Sequence, residues 1–382
     1  MDTPTNIADN KPINLDKSQN TMFTAAQTDN TSSDQVKKLK DKVENTVMPM
    51  ELKQMLMDRI TRLELIKQGS GFMSPTYIIE YETISTYINW TTTLPWEKES
   101  DDILDLVKAK QILDKNHFGI ENIKNAILEF LATIILNKKR KEGHTMAHAP
   151  ILFLVGLAGT GKTTLAVSIA EALGREFARI PFGGMSDSRV IRGQSRAYSD
   201  AEPGAIIKNL VKSGTNNPVL LLDELDRVTE AARGDIMGVL LELLDPGQNK
   251  SFIDHYIDYP VNLSNVLFIA TGNNTTNIST AVLDRMQILQ MPSYTDEEKM
   301  AIAKGYLFSR IRGEIGLNES ELTIDENLWP QIIRPLGYDS GIRSLDRIVS
   351  GVCRKAARVI VEGKATTVHL TEDNLKQYLP TW

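Results

Sequence analysis

Cysteine occurs once in 382 residues, at Cys353. That excludes a disulfide framework within the chain and any zinc site built on paired cysteines, and it fits a reducing compartment. An excess of basic charge is missing too: 43 Lys and Arg against 49 Asp and Glu give a formal net charge of −6. A chain so balanced has no overall positive field for gripping nucleic acid, although a local basic groove stays open. Long apolar runs are absent. The longest, Ile127 to Leu136, is interrupted by Glu129 and falls short of the ~20 residues needed to cross a bilayer. The first residues lack the charged-then-apolar order of a secretory signal, and their aspartates and lack of arginine oppose a transit peptide. The expected location is the cytoplasm, with no membrane partner.

What is present is globular. Apolar residues at 41% with 24 glycines reach the usual range of a folded soluble chain, and the length allows two to three domains. Residues 1–35 hold 22 Thr, Asn, Asp, Ser and Gln. Such a stretch buries too little to offset its ordering entropy, so a disordered polar tail is expected there. A helical segment follows over 36–142. Leu52, Leu56, Ile60 and Leu63 recur at helical spacing. Ser74–Pro75 reads as a cap and first turn, opening a helix over about 77–90, and a third runs from Ile120 through Ile134 to the cations Lys138-Lys139-Arg140-Lys141.

From 143 to 292 the pattern alternates strand and helix. The apolar runs 151–155, 219–222 and 266–271 read as strands covered on both faces, and 176–181 and 286–291 as two further strands. Beyond Pro292, over 293–382, helices return; the clearest carries Ile342, Leu345, Val349, Val352, Ala356 and Val359 on one stripe. Cys353 beside that stripe reads as a packing residue. His144 and His148 lie four apart, but Pro150 opposes a helix there and no third ligand is evident, so no zinc site is expected.

Gly156-Leu157-Ala158-Gly159-Thr160-Gly161-Lys162-Thr163, with Thr164 following, fits the phosphate-loop pattern between an apolar strand and a helix. Glycines let backbone N–H groups turn toward phosphate oxygens, and the helix N-terminus faces the anion. Lys162 is expected to meet the β- and γ-phosphates, and the Thr163 hydroxyl to ligate Mg²⁺. The run Val219–Leu222 then delivers Asp223 and Glu224 at a strand's carboxyl end. Asp223 is expected in the Mg²⁺ shell and Glu224 as general base for the attacking water. Together these predict nucleoside triphosphate hydrolysis.

Several longer stretches are similar to one family. They are Gly183-Gly184 with Ile191-Arg192-Gly193 and Tyr198, Asn217-Pro218 leading into Leu222-Asp223-Glu224, and Arg233-Gly234-Asp235. Leu240-Leu241-Glu242 with Leu244-Asp245-Pro246, Asp254-His255-Tyr256, Leu283-Asp284-Arg285-Met286, and Trp90 through Leu94-Pro95-Trp96 continue the series. From about Glu51 to Trp382 the chain resembles the ATPase part of the Lon family of AAA+ proteases. The resemblance implies an α/β fold: a P-loop AAA+ parallel-sheet core with helices on both faces, preceded by a helical segment and followed by a small all-helical lid domain.

It also implies roles. Asn273 matches the sensor that orients the lytic water, and Arg343 the second sensor on the lid. Arg285 matches the arginine finger given to a neighbouring subunit, so a ring of identical chains, normally a hexamer, is implied. His117-Phe118-Gly119 resembles the turn beside the adenine, where tyrosine is the usual aromatic; a helix-entry turn is the alternative reading. Tyr198 matches the pore-loop aromatic that grips unfolded polypeptide, but Ser199 and Asp200 depart from the aliphatic–glycine pair usual after it. The family's Ser–Lys peptidase domain would begin near Trp382, so no peptide-bond cleavage is expected of this chain alone. The expected function is an ATP-driven motor that remodels, unfolds or translocates protein. The alternatives are an ATPase fragment or partner of a separate peptidase, a nucleic-acid-associated AAA+ ATPase, and a regulatory ATP-binding module.

Overall fold

The structure, a computed structural model, describes residues 25–70, 74–139, 151–334 and 341–380. Residues 1–24 of the expected tail, the boundary at 143, and His144 and His148 lie outside them. The chain forms two compact units, 1–92 and 93–382.

The first unit contains α1 (Ala25–Asn45), α2 (Met50–Ser70) and α3 (Pro75–Thr93). Helix α1 takes in the last eleven residues, 25–35, of the stretch expected to be a tail. Its second half explains this: Val36, Leu39 and Val43 are buried at helical spacing, so the polar first turns extend a helix anchored further on. Leu52, Leu56, Ile60 and Leu63 line the buried face of α2, and Tyr77, Ile84, Tyr87 and Ile88 that of α3. Ser74 caps α3, its Oγ accepting from the Tyr77 N–H at 3.2 Å.

The second unit opens with a helix that sequence periodicity missed, α4 (Leu106–Asn116), N-capped by Asp105, which accepts from the amides of Val107 at 2.8 Å and Lys108 at 3.2 Å. It is followed by α5 (Glu121–Lys139). The helical segment expected over 36–142 is therefore divided. Ala109, Leu113, Ile127, Phe130 and Leu131 of α4 and α5 share one apolar core with Leu152, Leu154, Leu221 and Ile269 of the sheet, so these two helices are a layer of the second unit.

That sheet contains β1 (Ile151–Val155), β2 (Phe177–Pro181), β3 (Val219–Asp223), and, after the two-residue strands β4 (Phe252–Ile253) and β5 (Pro260–Val261), β6 (Leu267–Gly272) and β7 (Met286–Gln290). The five long strands are all parallel, in order β2-β3-β6-β1-β7, with Leu152 opposite Ile269 and Ile180 opposite Leu222. Leu152, Leu154 and Leu221 lie on the face whose core is shared with α4, α5 and the helix that follows β1, while Phe153, Leu220 and Leu222 are buried on the other face. Both faces being covered is what makes the β1 run and the Val219–Leu222 run of β3 continuously apolar. Helix α6 (Lys162–Leu173) follows β1, α7 (Arg189–Arg192) and α8 (Ala205–Ser213) follow β2, α9 (Arg233–Leu244) follows β3, and α10 (Thr280–Leu283) precedes β7.

The lid contains α11 (Asp296–Ile302), α12 (Phe308–Ile315), α13 (Trp329–Ile333), α14 (Arg343–Val361) and α15 (Leu375–Tyr378). Thr295 and Glu298 form a reciprocal cap on α11, at 3.2 and 2.8 Å. Leu345, Val349, Val352, Cys353 and Ala356 of α14 fill the lid core, where burial pushes the Cys353 thiol up to about 11. The expectation of an all-helical lid is corrected: β8 (Leu322–Ile324) pairs in parallel with β9 (Val368–Leu370). Leu322, Val368 and Leu370 join the same core, so the short ladder gives two irregular segments partners for their backbone groups while their apolar side chains are buried. Among the described residues, no helix is long and apolar enough to cross a membrane.

Candidate nucleotide site

The loop 156–161 leaves the carboxyl end of β1 and turns into α6. At Gly159, φ is +84°, a left-handed conformation, and a Cβ there would sit 3.3 Å from the Arg343 amide nitrogen and the Gly341 Cα. The Ile342 N–H donates to the Gly159 carbonyl at 3.0 Å. Glycine is thus required both by the turn and by the entry of α14, which packs directly on the loop. The buried Tyr294 hydroxyl adds a bond to the Thr160 carbonyl at 3.3 Å.

Lys162 donates to the carbonyls of Gly156 at 2.6 Å and Leu157 at 2.9 Å. Burial pushes its pKa below the ordinary lysine value, Asp226 and Asp223 oppose that, Arg343 adds to it, and Glu224 opposes it again. One cluster therefore holds the loop lysine, the acids that end β3, and the first residue of the lid helix. Asn273, just past β6, joins it. With its amide nitrogen toward the Gly156 carbonyl at 3.2 Å, its oxygen accepts from Arg227 at 3.0 and 3.2 Å. Thr163 is half-buried in the first turn of α6 and Thr164 is exposed there.

Glu224 has φ +59°, left-handed for a non-glycine residue, a conformation that costs on the order of 1 kcal/mol. Its amide donates to Thr271 Oγ1 at 3.0 Å, and its carboxylate lies 3.4 Å from Arg227 and against Gly183, where a Cβ would come within 2.6 Å of Oε2. Asp223 is buried. Thr271 Oγ1 donates to its Oδ1, and Arg179 donates to Oδ2 through Nε at 2.6 Å and through Nη2 at 2.5 Å. No sequence motif singles out Thr271, Arg179 or Arg227. The signal was present: Thr271 is the one hydroxyl in the apolar run 266–271, and Arg179 the one charge in its strand. Asp226 is also buried, and its Oδ1 has no hydrogen-bond partner among the described residues.

His117, Phe118 and Gly119 form the turn between α4 and α5. The His117 ring is buried, 3.0 Å from Ser168 Oγ on α6. Burial, with the nearby Lys124 charge, lowers its pKa to about 4 against the pull of a backbone bond to Thr164. The ring is therefore neutral at neutral pH and ties the turn to α6, while Phe118 is exposed. The next residue, Ile120, has φ +53° and packs against both the sheet core and the lid core. A β-branched residue in that region is a true outlier, and here it is held by burial on two sides.

Two expected site residues stand apart from the cluster. Arg285 precedes β7 at the amino-terminal edge of the sheet, its carbonyl accepting from Ile151 N at 3.4 Å. The phosphate loop lies at the other end of β1, a five-residue strand that spans roughly 16 Å, so Arg285 does not reach its own chain's loop. Its guanidinium donates to the Ala281 carbonyl at 2.8 Å and to Asp245 at 3.2 Å, holding that carboxyl below its usual range. Tyr198 is 62% exposed on the loop between α7 and α8, beside the exposed Ser199.

A phosphate loop on the first strand of a parallel sheet, paired acids on β3, a polar residue past β6 and a lid helix against the loop define an AAA+ ATPase. The family model described as ATPase family associated with various cellular activities (AAA) matches residues 152–294, and that described as Lon protease AAA+ ATPase lid domain matches 313–368. Among similar proteins are a Lon protease of Geobacter metallireducens, 42% identical over 347 residues, or 91% of this chain and 40% of that protein, and Lon protease 1 of Bacillus subtilis, 42% identical over 345 residues, or 90% of this chain and 43% of that protein. The chain belongs to the Lon family, of which it carries the ATPase and lid portion, and it spans about two fifths of the length of these relatives.

Proposed function

We propose that this chain hydrolyses ATP between the phosphate loop and the β3 acids, and uses the cycle to move a polypeptide held at Tyr198. The observation that carries the reading is the single charged cluster of Lys162 with Asp223, Asp226, Glu224 and Arg343. The loop 156–164 would cradle the phosphates with its backbone amides and Lys162 would supply the point charge. The Thr163 hydroxyl and Asp223 carboxylate are oxygen donors of the kind Mg²⁺ takes. When bound, that ion would neutralise charge on the β- and γ-oxygens. Glu224 takes the proton of the attacking water, with Asn273 orienting that water. Thr271 fixes the Asp223 carboxylate and the Glu224 backbone, so both acids stand in one defined arrangement. Arg343, at the start of the lid helix, reads the phosphates and carries their state to the lid. In the turn 117–119, the Phe118 ring offers the face for the base, and Gly119 the tight bend.

Because Arg285 lies a strand's length from its own loop, its charge serves a neighbouring site, which requires a closed ring of identical chains, a hexamer by family resemblance. An equimolar mixture of Arg285→Ala and Glu224→Gln subunits should therefore hydrolyse ATP faster than either variant alone, since some interfaces regain both groups. A rate equal to the mean of the two would count against action across an interface.

A ring of exposed tyrosines can hold unrelated sequences by apolar contact, which suits unfolded protein as substrate in the cytoplasm. Hydrolysis by the full chain should rise several-fold with a reduced, carboxymethylated polypeptide and stay unchanged with double-stranded DNA. Stimulation by DNA alone would transfer the reading to a nucleic-acid-associated motor.

A further inference from the structure

The loop that carries Tyr198 is closed at its base, where the Gln194 N–H donates to the Glu202 carbonyl at 3.1 Å. What holds that base is a segment some fifty residues further along the chain, between β4 and β5. Asp254 is fully buried, and its carboxylate is spent on backbone amides: Oδ2 accepts from Gly204 at 2.7 Å, and Oδ1 from Tyr256 at 2.8 Å and Ile257 at 3.1 Å. The His255 N–H donates to the Arg192 carbonyl at 2.8 Å, on the other side of the loop. Asp258, at φ +53°, meets Arg196 within the loop at 3.3 Å. The fit is close at both ends. A Cβ on Gly193 would lie 2.7 Å from Asp254 Oδ1, and one on Gly204 would collide with the Ile191 carbonyl.

Burying a carboxylate without a cation is costly unless donors surround it, and burial does push the Asp254 carboxyl up while its three amide bonds oppose the shift. The bond to Gly204 is the one that leaves the segment's own turn. It fixes the exit of the loop, while His255 fixes the entry and Asp258 the interior.

We propose that the segment 254–258, with Asp254 as its principal member, is a clamp that positions the Tyr198 loop and thereby sets how strongly hydrolysis responds to polypeptide. Asp254 acts through Tyr198, so it is a positioning residue, and the inference rests on the reading of Tyr198 given above.

The discriminating variant is Asp254→Asn in the full chain. Its amide oxygen still accepts from Tyr256 and Ile257, but its NH₂ faces the Gly204 N–H donor to donor, so the bond to the loop is lost selectively. Amide hydrogen exchange across 194–204 should then rise by about tenfold or more, the effect of losing one charge-assisted bond on local opening, while peptides from β1, β3 and β6 stay unchanged. The concentration of reduced, carboxymethylated polypeptide giving half-maximal stimulation should rise several-fold. Asp258→Asn, at an exposed left-handed position that suits asparagine, should shift both readouts the same way by less. If Tyr198→Ala loses the polypeptide response and neither clamp variant weakens it, the clamp is wrong and the reading of Tyr198 stands. If Tyr198→Ala responds like the wild type, both fall. Exchange rising through the sheet strands as well would make Asp254 a support of the whole domain and overturn the proposal.

Discussion

Glu224→Gln is expected to bind ATP and hydrolyse it about 10²- to 10⁴-fold more slowly, the loss typical of a removed general base. That is about 3–5 kcal/mol of barrier. The surroundings of Glu224 make the substitution a clean one. Its carboxylate lies in space that Gly183 leaves open, and glutamine is nearly isosteric, so nothing is displaced. The backbone bond to Thr271 does not involve the side chain. Arg227, the charged neighbour at 3.4 Å, is 52% exposed in its side chain, so losing that ion pair changes stability little. Binding should hold or tighten, because one negative charge near the triphosphate is gone. Single-turnover hydrolysis beside equilibrium ATP binding separates the two effects. A wild-type rate would remove Glu224 from the role of base, and loss of binding would show that its charge organises the loop instead.

The parts legible in the sequence are those that a backbone constraint writes into consecutive residues. Strands β1, β3 and β6 are buried on both faces and read as nearly unbroken apolar runs, while β2 and β7 expose alternate residues; observed strand ends differ from expected ones by one residue at most. The phosphate loop needs glycines at fixed spacing, and the Asp223–Glu224 pair must end a buried strand, so both appear as short words. Helix α4 escaped notice because only Ala109 and Leu113 of its eleven residues are buried, too few to print a stripe. Strands β8 and β9 have three residues each, below what alternation can register. The supports of the acids were hidden for another reason. Arg179 and Thr271 reach Asp223 from 44 and 48 residues away, and only the sheet order brings β2, β3 and β6 side by side. His117 shows the same limit. Its motif does not reveal that its ring is turned to Ser168 and α6, a choice fixed by packing between helices that are distant in sequence.

Lys162→Ala is expected to lose ATP binding altogether at concentrations that saturate the wild type. A charge-assisted hydrogen bond contributes about 1.5–3 kcal/mol, and an ammonium shared between two phosphates would make two, which amounts to roughly two to four decades in Kd. Thermal unfolding reads this directly: ATP at about a hundred times its Kd stabilises a folded chain by about 2.7 kcal/mol, and the variant should show no such shift. Lys162→Met is the necessary companion, because it keeps the apolar stem that packs under the loop while removing the charge. The Gly156 carbonyl retains the Asn273 amide at 3.2 Å when the lysine is gone, so the loop keeps one of its supports. The proton supplies a second test. Burial holds the Lys162 pKa below the ordinary lysine value, and bound triphosphate, being anionic, pulls it back up. ATP therefore prefers the protonated lysine, so affinity is full below the depressed pKa of the free site and falls as pH rises through it. Lys162→Met should lack that slope. If either variant binds ATP within a few-fold of the wild type, or if the slope survives in Lys162→Met, the phosphates do not rest on Lys162.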